Sequence, residues 1–284
     1  MRREFYDKSQ MLGQFTVNYD RTFNDVHHVG GVIGWEVQKR NGDNFYAVRD
    51  LAFSMPYLLA GVTEGQIGAM QTGNNDLYEQ ANEALIGRVN YSFADRYLLE
   101  AQFRYDGSSK FAKGHQWGFF PSLSAGWRVS EEPFFKSIDA LKFVNQLKLR
   151  ASFGVTGNQD IAAYSTLGML SGASYGWGTS TSSTGYWGYQ FATPGITWEK
   201  TYQYDLGLDM SIGGFNITVD WFKKQTKDLL FQKQVPKYNG GGTYWVNQGK
   251  LNNTGVELSL TTFPVKEAVT WETSLNASYV KNEV

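Results

Sequence analysis

The side chains that could do chemistry are few, and their spacing argues against catalysis. Asp205 and Asp209 stand four residues apart in a stretch that alternates strictly between apolar and polar. At strand rise that spacing is ~13 Å, beyond the ~5 to 9.5 Å over which two carboxylates cleave a glycosidic bond. His27 and His28 are adjacent, and neighbours in a strand point to opposite faces, so they are poor joint metal ligands. The third histidine, His115, sits apart in a polar connection. Gly240-Gly241-Gly242-Thr243 lacks the Lys-Ser/Thr of a phosphate loop and reads as a flexible loop. No serine has the elbow context of a nucleophile. No cofactor or metal is implied, and the sequence reads as a non-enzyme. What remains are aromatic clusters in polar segments: Tyr175, Trp177, Tyr186, Trp187 and Tyr189 in one, and Tyr238, Tyr244 and Trp245 in another. Such rings stack on sugar faces, contact a partner, or pack on each other to hold a loop.

The elements that position these residues follow from a period of two. In 201–212, Tyr202, Tyr204, Leu206, Leu208, Met210 and Ile212 alternate with Thr201, Gln203, Asp205, Gly207, Asp209 and Ser211. Similar alternation predicts ten strands, at 12–23, 26–40, 83–93, 96–107, 117–130, 144–156, 198–212, 215–231, 250–263 and 269–281. Asn24-Asp25, Ala94-Asp95 and Gly213-Gly214 read as tight turns, 264–268 as a short one, and 131–143 as a connection with a helical turn. These alternate with long connections at 41–82, 108–116, 157–197 and 232–249, and the Gly/Ser/Thr-rich 171–190 reads as an exposed loop. In an up-and-down sheet, all short turns then fall at one end, as in outer-membrane barrels.

Composition agrees. The 284 residues carry a net charge of −1, so no basic footprint points to nucleic acid. There is no cysteine, which excludes disulfide scaffolds. Aromatics make 16% of the chain, yet no apolar run approaches the ~20 residues of a membrane-spanning helix. One strand face carries Arg88, Glu100, Arg104, Asp106, Lys148, Arg150, Asp205, Asp209 and Asp220. Of these, Arg104, Arg150, Asp205 and Asp209 are expected to face a water-filled lumen. The other face, with Tyr19, Trp35, Tyr91, Tyr97, Trp127, Trp198, Trp221, Trp271 and Tyr279 near strand ends, reads as a lipid-facing band with interfacial girdles. The alternative is a soluble carbohydrate-binding β-sandwich whose apolar face packs on a second sheet.

Several segments resemble the SusC/RagA family of TonB-linked outer-membrane transporters. They include Leu85-Ile86-Gly87-Arg88-Val89-Asn90-Tyr91, Phe103-Arg104-Tyr105-Asp106-Gly107, Trp117-Gly118-Phe119-Phe120-Pro121-Ser122 and Ala125-Gly126-Trp127-Arg128. Leu147 to Gln159, Trp198-Glu199-Lys200-Thr201, Asp220-Trp221-Phe222-Lys223-Lys224 and Gly255-Val256-Glu257-Leu258 follow in the family's order. The resemblance implies an all-β, antiparallel transmembrane barrel of about 22 strands with a plugged lumen. Residues 1–284 would supply about ten strands of that wall. It further implies import of oligosaccharides or peptides beneath a SusD-like surface lipoprotein, with energy delivered through the TonB complex. Met1-Arg2-Arg3-Glu4 does not open a signal peptide, and no plug domain or TonB-contacting segment is recognised. The chain therefore reads as the middle-to-late wall of such a protein.

Overall fold

Polar–apolar alternation leaves a strand one face to bury and one to wet, and the chain meets that demand by pairing strand after strand in sequence order. The computed structural model describes residues 2–49, 67–69, 77–176, 182–266 and 270–284. The strands are β1 (Arg2–Phe23), β2 (His27–Val48), β3 (Ile67–Ala69), β4 (Tyr78–Phe93), β5 (Tyr97–Ser108), β6 (Trp117–Arg128), β7 (Val144–Asn158), β8 (Met169–Gly176) and β9 (Ser182–Gln190). They continue with β10 (Glu199–Ile212), β11 (Phe215–Lys227), β12 (Leu230–Gln234), β13 (Thr243–Asn247), β14 (Lys250–Lys266) and β15 (Thr270–Glu283). One short helix, α1 (Pro133–Lys136), sits between β6 and β7.

Ten strands form one antiparallel wall in the order β1-β2-β4-β5-β6-β7-β10-β11-β14-β15, with β3 on the far end of β2. These are the ten strands expected from alternation. The short connections lie at one end: Asn24 and Asp25 (φ 49° and 58°), Ala94 and Asp95 (φ 49° and 53°), and Gly213 and Gly214 (φ 52° and 92°). Two successive left-handed residues match the twist of a tight hairpin. The expected helical turn in 131–143 is α1, whereas the tip of the β14–β15 connection lies outside the described residues.

Three expectations are corrected. β1 begins at Arg2 and β2 runs to Val48, in register from Arg2↔Val48 to Phe23↔His27. In the outer parts of these strands polar and aromatic residues share both faces, Phe5 stacking on Phe45 (5.5 Å), so pairing continues where alternation fades. β11 stops at Lys227 because Asp228 turns left-handed (φ 56°), and β12 is a separate strand. Finally, the two segments read as loops contain a second sheet, ordered β12-β13-β9-β8. Thr, Tyr and Trp in these segments favour strands, and the Gly and Ser between them masked that preference.

Among the described residues, the apolar face of the wall has no second layer over it except at the long-connection end, where Phe153, Val155 and Tyr202 meet a packed core. Val29, Tyr91, Leu99, Ala125, Ala151, Leu206, Trp221, Val256 and Tyr279 lie abreast across nine strands. On the same face Val89, Leu123 and Leu206 are 55%, 57% and 55% exposed. The packed core lies instead at the long-connection end, where β6 stops pairing with β7 beyond Ser122↔Gly154. There Phe111, Phe120, Val155, Ile161, Ile196 and Trp198 bury one another. Trp198 is thus not part of an interfacial girdle: it is 3% exposed and its indole donates to the Gln116 carbonyl (3.0 Å).

At the short-turn end, Tyr97 and Trp127 stack with ring centroids 6.4 Å apart. The Trp127 indole donates to Glu132 (3.0 Å), and Arg96 donates to its other oxygen (2.8 Å). Hydrogen bonding from Tyr97, then from Trp127, together with the charge of Arg96, holds the Glu132 carboxyl below its ordinary value of 4.5. A group whose folded value is depressed stabilises the fold above its unfolded value, and that contribution is lost as pH falls through the folded one. We therefore expect the unfolding midpoint of the bilayer-embedded protein to drop below about pH 5, and Glu132→Gln to flatten that part of the profile. Parallel profiles for the two proteins would show that the clamp is not coupled to stability.

Candidate functional site

Two regions of the fold gather polar or aromatic groups in fixed geometry: the polar face of the wall and the second sheet beyond its long-connection end. On the polar face, one cation is matched to acids on two other strands. Arg150 on β7 donates to both oxygens of Asp209 on β10 (Nε 2.8 Å, NH2 2.9 Å) and, through NH2, to Asp220 on β11 (2.9 Å). The guanidinium reaches across because Gly207 lies between Arg150 and Asp220 in register. A Cβ at Gly207 would stand 2.5 Å from Asp220 Oδ1 and 2.7 Å from Arg150 Cζ. One glycine thus lets a single cation bind two acids on two strands, a bidentate and a monodentate contact.

The four polar-face residues singled out from sequence are not one constellation. Arg104 pairs with Asp106 on its own strand (2.9 Å). Arg150 and Asp209 meet as described. Asp205 stands apart from them, accepting from Ser152 (3.0 Å) and Gln203 (2.9 Å). Asp220 and Gly207 were not among the four; Asp220 was legible as a wet-face charge, but nothing local marks Gly207 as the gap a guanidinium needs. The histidines diverge as expected: His27 meets the Tyr91 hydroxyl (2.9 Å) on the apolar face, and His28 meets Thr22 (3.2 Å) on the polar one. Among the described residues no group of three His, Cys, Asp or Glu could hold a metal.

The second sheet is held to the wall by polar anchors. The buried Gln190 donates to the carbonyls of Tyr164, Ser165 and Leu167 (3.2, 3.3 and 2.8 Å). Asn247 donates to Thr197 and Asp228 carbonyls (2.8 and 2.9 Å). Glu199 accepts from the Leu230 N–H (3.0 Å). The glycine run expected to be a flexible loop lies between β12 and β13, and its last residue packs closely on β9. Gly240, Gly241 and Gly242 all have positive φ, and a Cβ on Gly242 would lie 2.7 Å from the Gly188 carbonyl.

The aromatic candidates separate by exposure. Tyr186 and Tyr238 project freely, at 75% and 86% exposure. Trp187 and Tyr189 are partly open but lean on each other, edge to face at 6.5 Å, and the Tyr189 hydroxyl reaches Met169 Sδ (2.9 Å). Tyr244 is half-buried, and Trp245 packs against the Phe111–Trp198 core. Tyr175 lies on β8, whereas Trp177 falls outside the described residues.

A wall of this kind, charged and ion-paired on one face, bare and apolar on the other, with short turns at one end, is that of an outer-membrane β-barrel. The chain belongs to the family described as TonB dependent receptor-like, beta-barrel, which matches residues 2–283. It is 35% identical over 273 residues to a TonB-dependent receptor of Formosa agariphila, covering 94% of this chain and 25% of that protein. It is 37% identical over 209 residues to the TonB-dependent receptor SusC of Bacteroides thetaiotaomicron, covering 70% of this chain and 20% of that one. The RagAB peptide transporter shares the fold with a TM-score of 0.86 at 23% identity, over 99% of this chain and 31% of that one. The chain thus spans about a quarter of the length of the curated relatives it matches, which are named receptors.

Because a Cβ on Gly207 would meet the ends of the Arg150 and Asp220 side chains, Gly207→Ala should displace the guanidinium and cost about 1 kcal/mol, the net worth of a lost hydrogen bond. Gly154→Ala, whose Cβ would meet Ser122 at 3.4 Å, should cost far less. Chemical unfolding of both variants in lipid vesicles measures the difference, and equal losses would remove the role assigned to Gly207.

Proposed function

We propose that residues 1–284 form part of the barrel wall of a TonB-dependent outer-membrane importer of oligosaccharides or peptides, working with a SusD-like surface lipoprotein. The observation that carries the reading is the two-faced wall: an apolar face exposed along most of its height among the described residues, opposite a charged face on which Arg150 pairs with Asp209 and Asp220 across strands. The polar face, with Arg104, Arg150, Asp205 and Asp209, lines the lumen. The apolar face meets lipid, and energy arrives from the TonB complex through parts of the protein beyond this segment. The wall does no chemistry; its role is to contain a path and to hold the second sheet over the outer end.

Tyr186, Trp187 and Tyr189 on that sheet and Tyr238 in the turn between β12 and β13 offer ring faces to substrate or partner, and Tyr244 extends the same aromatic surface. Tyr175 and Trp177 are proposed for the same role, and their side chains lie outside the described residues. Trp245 supports it from the core side. The whole stretch 161–198 has no charged residue, which suits stacking on sugars more than pairing with charged peptides. A soluble carbohydrate-binding sandwich is disfavoured by the bare apolar face.

The test is uptake by cells whose sole copy of the full-length receptor is wild type or carries Tyr186→Ala with Tyr238→Ala. Uptake of labelled neutral oligosaccharides or peptides should require TonB and fall several-fold in the double variant, with equal barrel insertion. Uptake that persists without TonB would overturn the importer reading; unchanged uptake in the double variant would overturn the aromatic one.

A further inference from the structure

The outer part of the apolar face over β10, β11, β14 and β15 changes character abruptly. Leu206, Trp221, Val256 and Tyr279 lie abreast there. Two residues further along the same face lie Tyr204, Lys223, Thr254 and Lys281, again abreast. Four more residues on, Lys200, Lys227 and Lys250 stand directly opposite one another on three neighbouring strands. All five lysines leave the wall on the side that carries Leu206 and Trp221, because strand parity keeps every second residue on one face.

Their height fits the membrane boundary. β11 runs 13 residues from Phe215 to Lys227, about 40 Å at strand rise, which a tilt of ~45° reduces to just under ~30 Å. That is about the thickness of a hydrocarbon core. With Phe215 at the inner edge, the Lys200–Lys227–Lys250 row falls at the outer interface, and Lys223 and Lys281 lie just beneath it, within snorkelling reach.

The row is also electrostatically incomplete. Like charges directly opposite on neighbouring strands repel. The described acid on this part of the face is Glu283, and it pairs with Lys281 (2.5 Å). Lys227 rests over the Tyr202 ring (5.1 Å), which orients it without cancelling its charge. Among the described residues, Lys200, Lys223, Lys227 and Lys250 make no ion pair. Elsewhere on the same outer face the balance is local: Lys39 pairs with Glu79, and Trp35 donates to Glu83 (2.9 Å).

We infer that Lys200, Lys227 and Lys250, backed by Lys223 and Lys281, form a binding site for a phosphate-bearing lipid headgroup of the outer leaflet. Its acyl chains would lie along Leu206, Trp221, Val256 and Tyr279, so one molecule meets both the apolar row and the cationic one. A soluble anion would find only the lysines. The inference rests on the apolar face meeting the bilayer, and insertion into phosphatidylethanolamine vesicles reports that reading separately.

The experiment is native mass spectrometry of the full-length receptor in detergent, titrated with bis-phosphorylated lipid A, with phosphatidylethanolamine, or with inorganic phosphate. Wild type should retain lipid A selectively. The Lys200→Gln/Lys227→Gln/Lys250→Gln variant should bind it about 100-fold more weakly, at roughly fivefold per lysine beside an anionic surface. The matching triple Arg variant should retain it, and all three proteins should insert equally into phosphatidylethanolamine vesicles. Unchanged lipid A affinity in the Gln variant would overturn the site. So would displacement of lipid A by inorganic phosphate at equal concentration, which would mean that the lysines bind a bare anion and the apolar row contributes nothing.

Discussion

Hydrocarbon cannot hydrogen-bond a peptide group, and the rest of this structure depends on that constraint. Each unpaired N–H or C=O in the bilayer core costs several kcal/mol, so a chain crossing it with strands must pair each one along its full length. Two ladders do this without a break, β1–β2 from Arg2↔Val48 to Phe23↔His27 and β10–β11 from Lys200↔Lys227 to Ile212↔Phe215, whereas β6–β7 pairs only from Ser122↔Gly154 to Arg128↔Lys148. Sequential antiparallel order is the simplest way to achieve this with tight turns at one end. Once the backbone is fixed, side-chain parity does the remaining sorting, and the two faces become two solvents.

The polar face shows what that sorting requires. Charges on that face gain from matched partners, and the Arg150 guanidinium serves Asp209 and Asp220 together because Gly207 leaves room for it. On the apolar face, aromatic and aliphatic side chains from Val29 to Tyr279 lie abreast, and among the described residues most of that row is not packed into a core. The core found among the described residues, around Phe111, Phe120 and Trp198, lies where β6 and β7 part, and Leu230 and Trp245 of the second sheet pack against it. Pro121, which has no N–H to donate, stands where that ladder ends.

How much of this was legible in the sequence depends on which force set each feature. Alternation in 201–212 and 144–156 was sharp because apolar side chains on one face alternate there with polar or small ones on the other, and those strands were read nearly to the residue. The outer half of β1 was not, because polar and aromatic residues share both faces from Arg2 to Gln10 and leave no periodic trace. The second sheet was missed for a related reason: its Gly, Ser and Thr carry no burial signal, and its strands are fixed by Gln190 and Asn247 reaching distant carbonyls. Of the site residues, Arg150 and Asp209 could be placed on one face but not paired, since pairing depends on register between strands far apart in sequence. Trp198 was read as interfacial from its position at a strand end, and only the fold shows that it turns inward.

The account stands on which solvent each face meets. Single cysteines carrying spin labels, placed in the full-length receptor in lipid vesicles at Leu99, Leu206 and Leu275 and at Ser124, Ser278 and Asn276, measure this directly. Dissolved oxygen should relax the first three strongly and a water-soluble nickel chelate barely at all, with the reverse for the second three. Equal chelate access on both faces, or first-set labels shielded from both reagents as under a second protein layer, would contradict it.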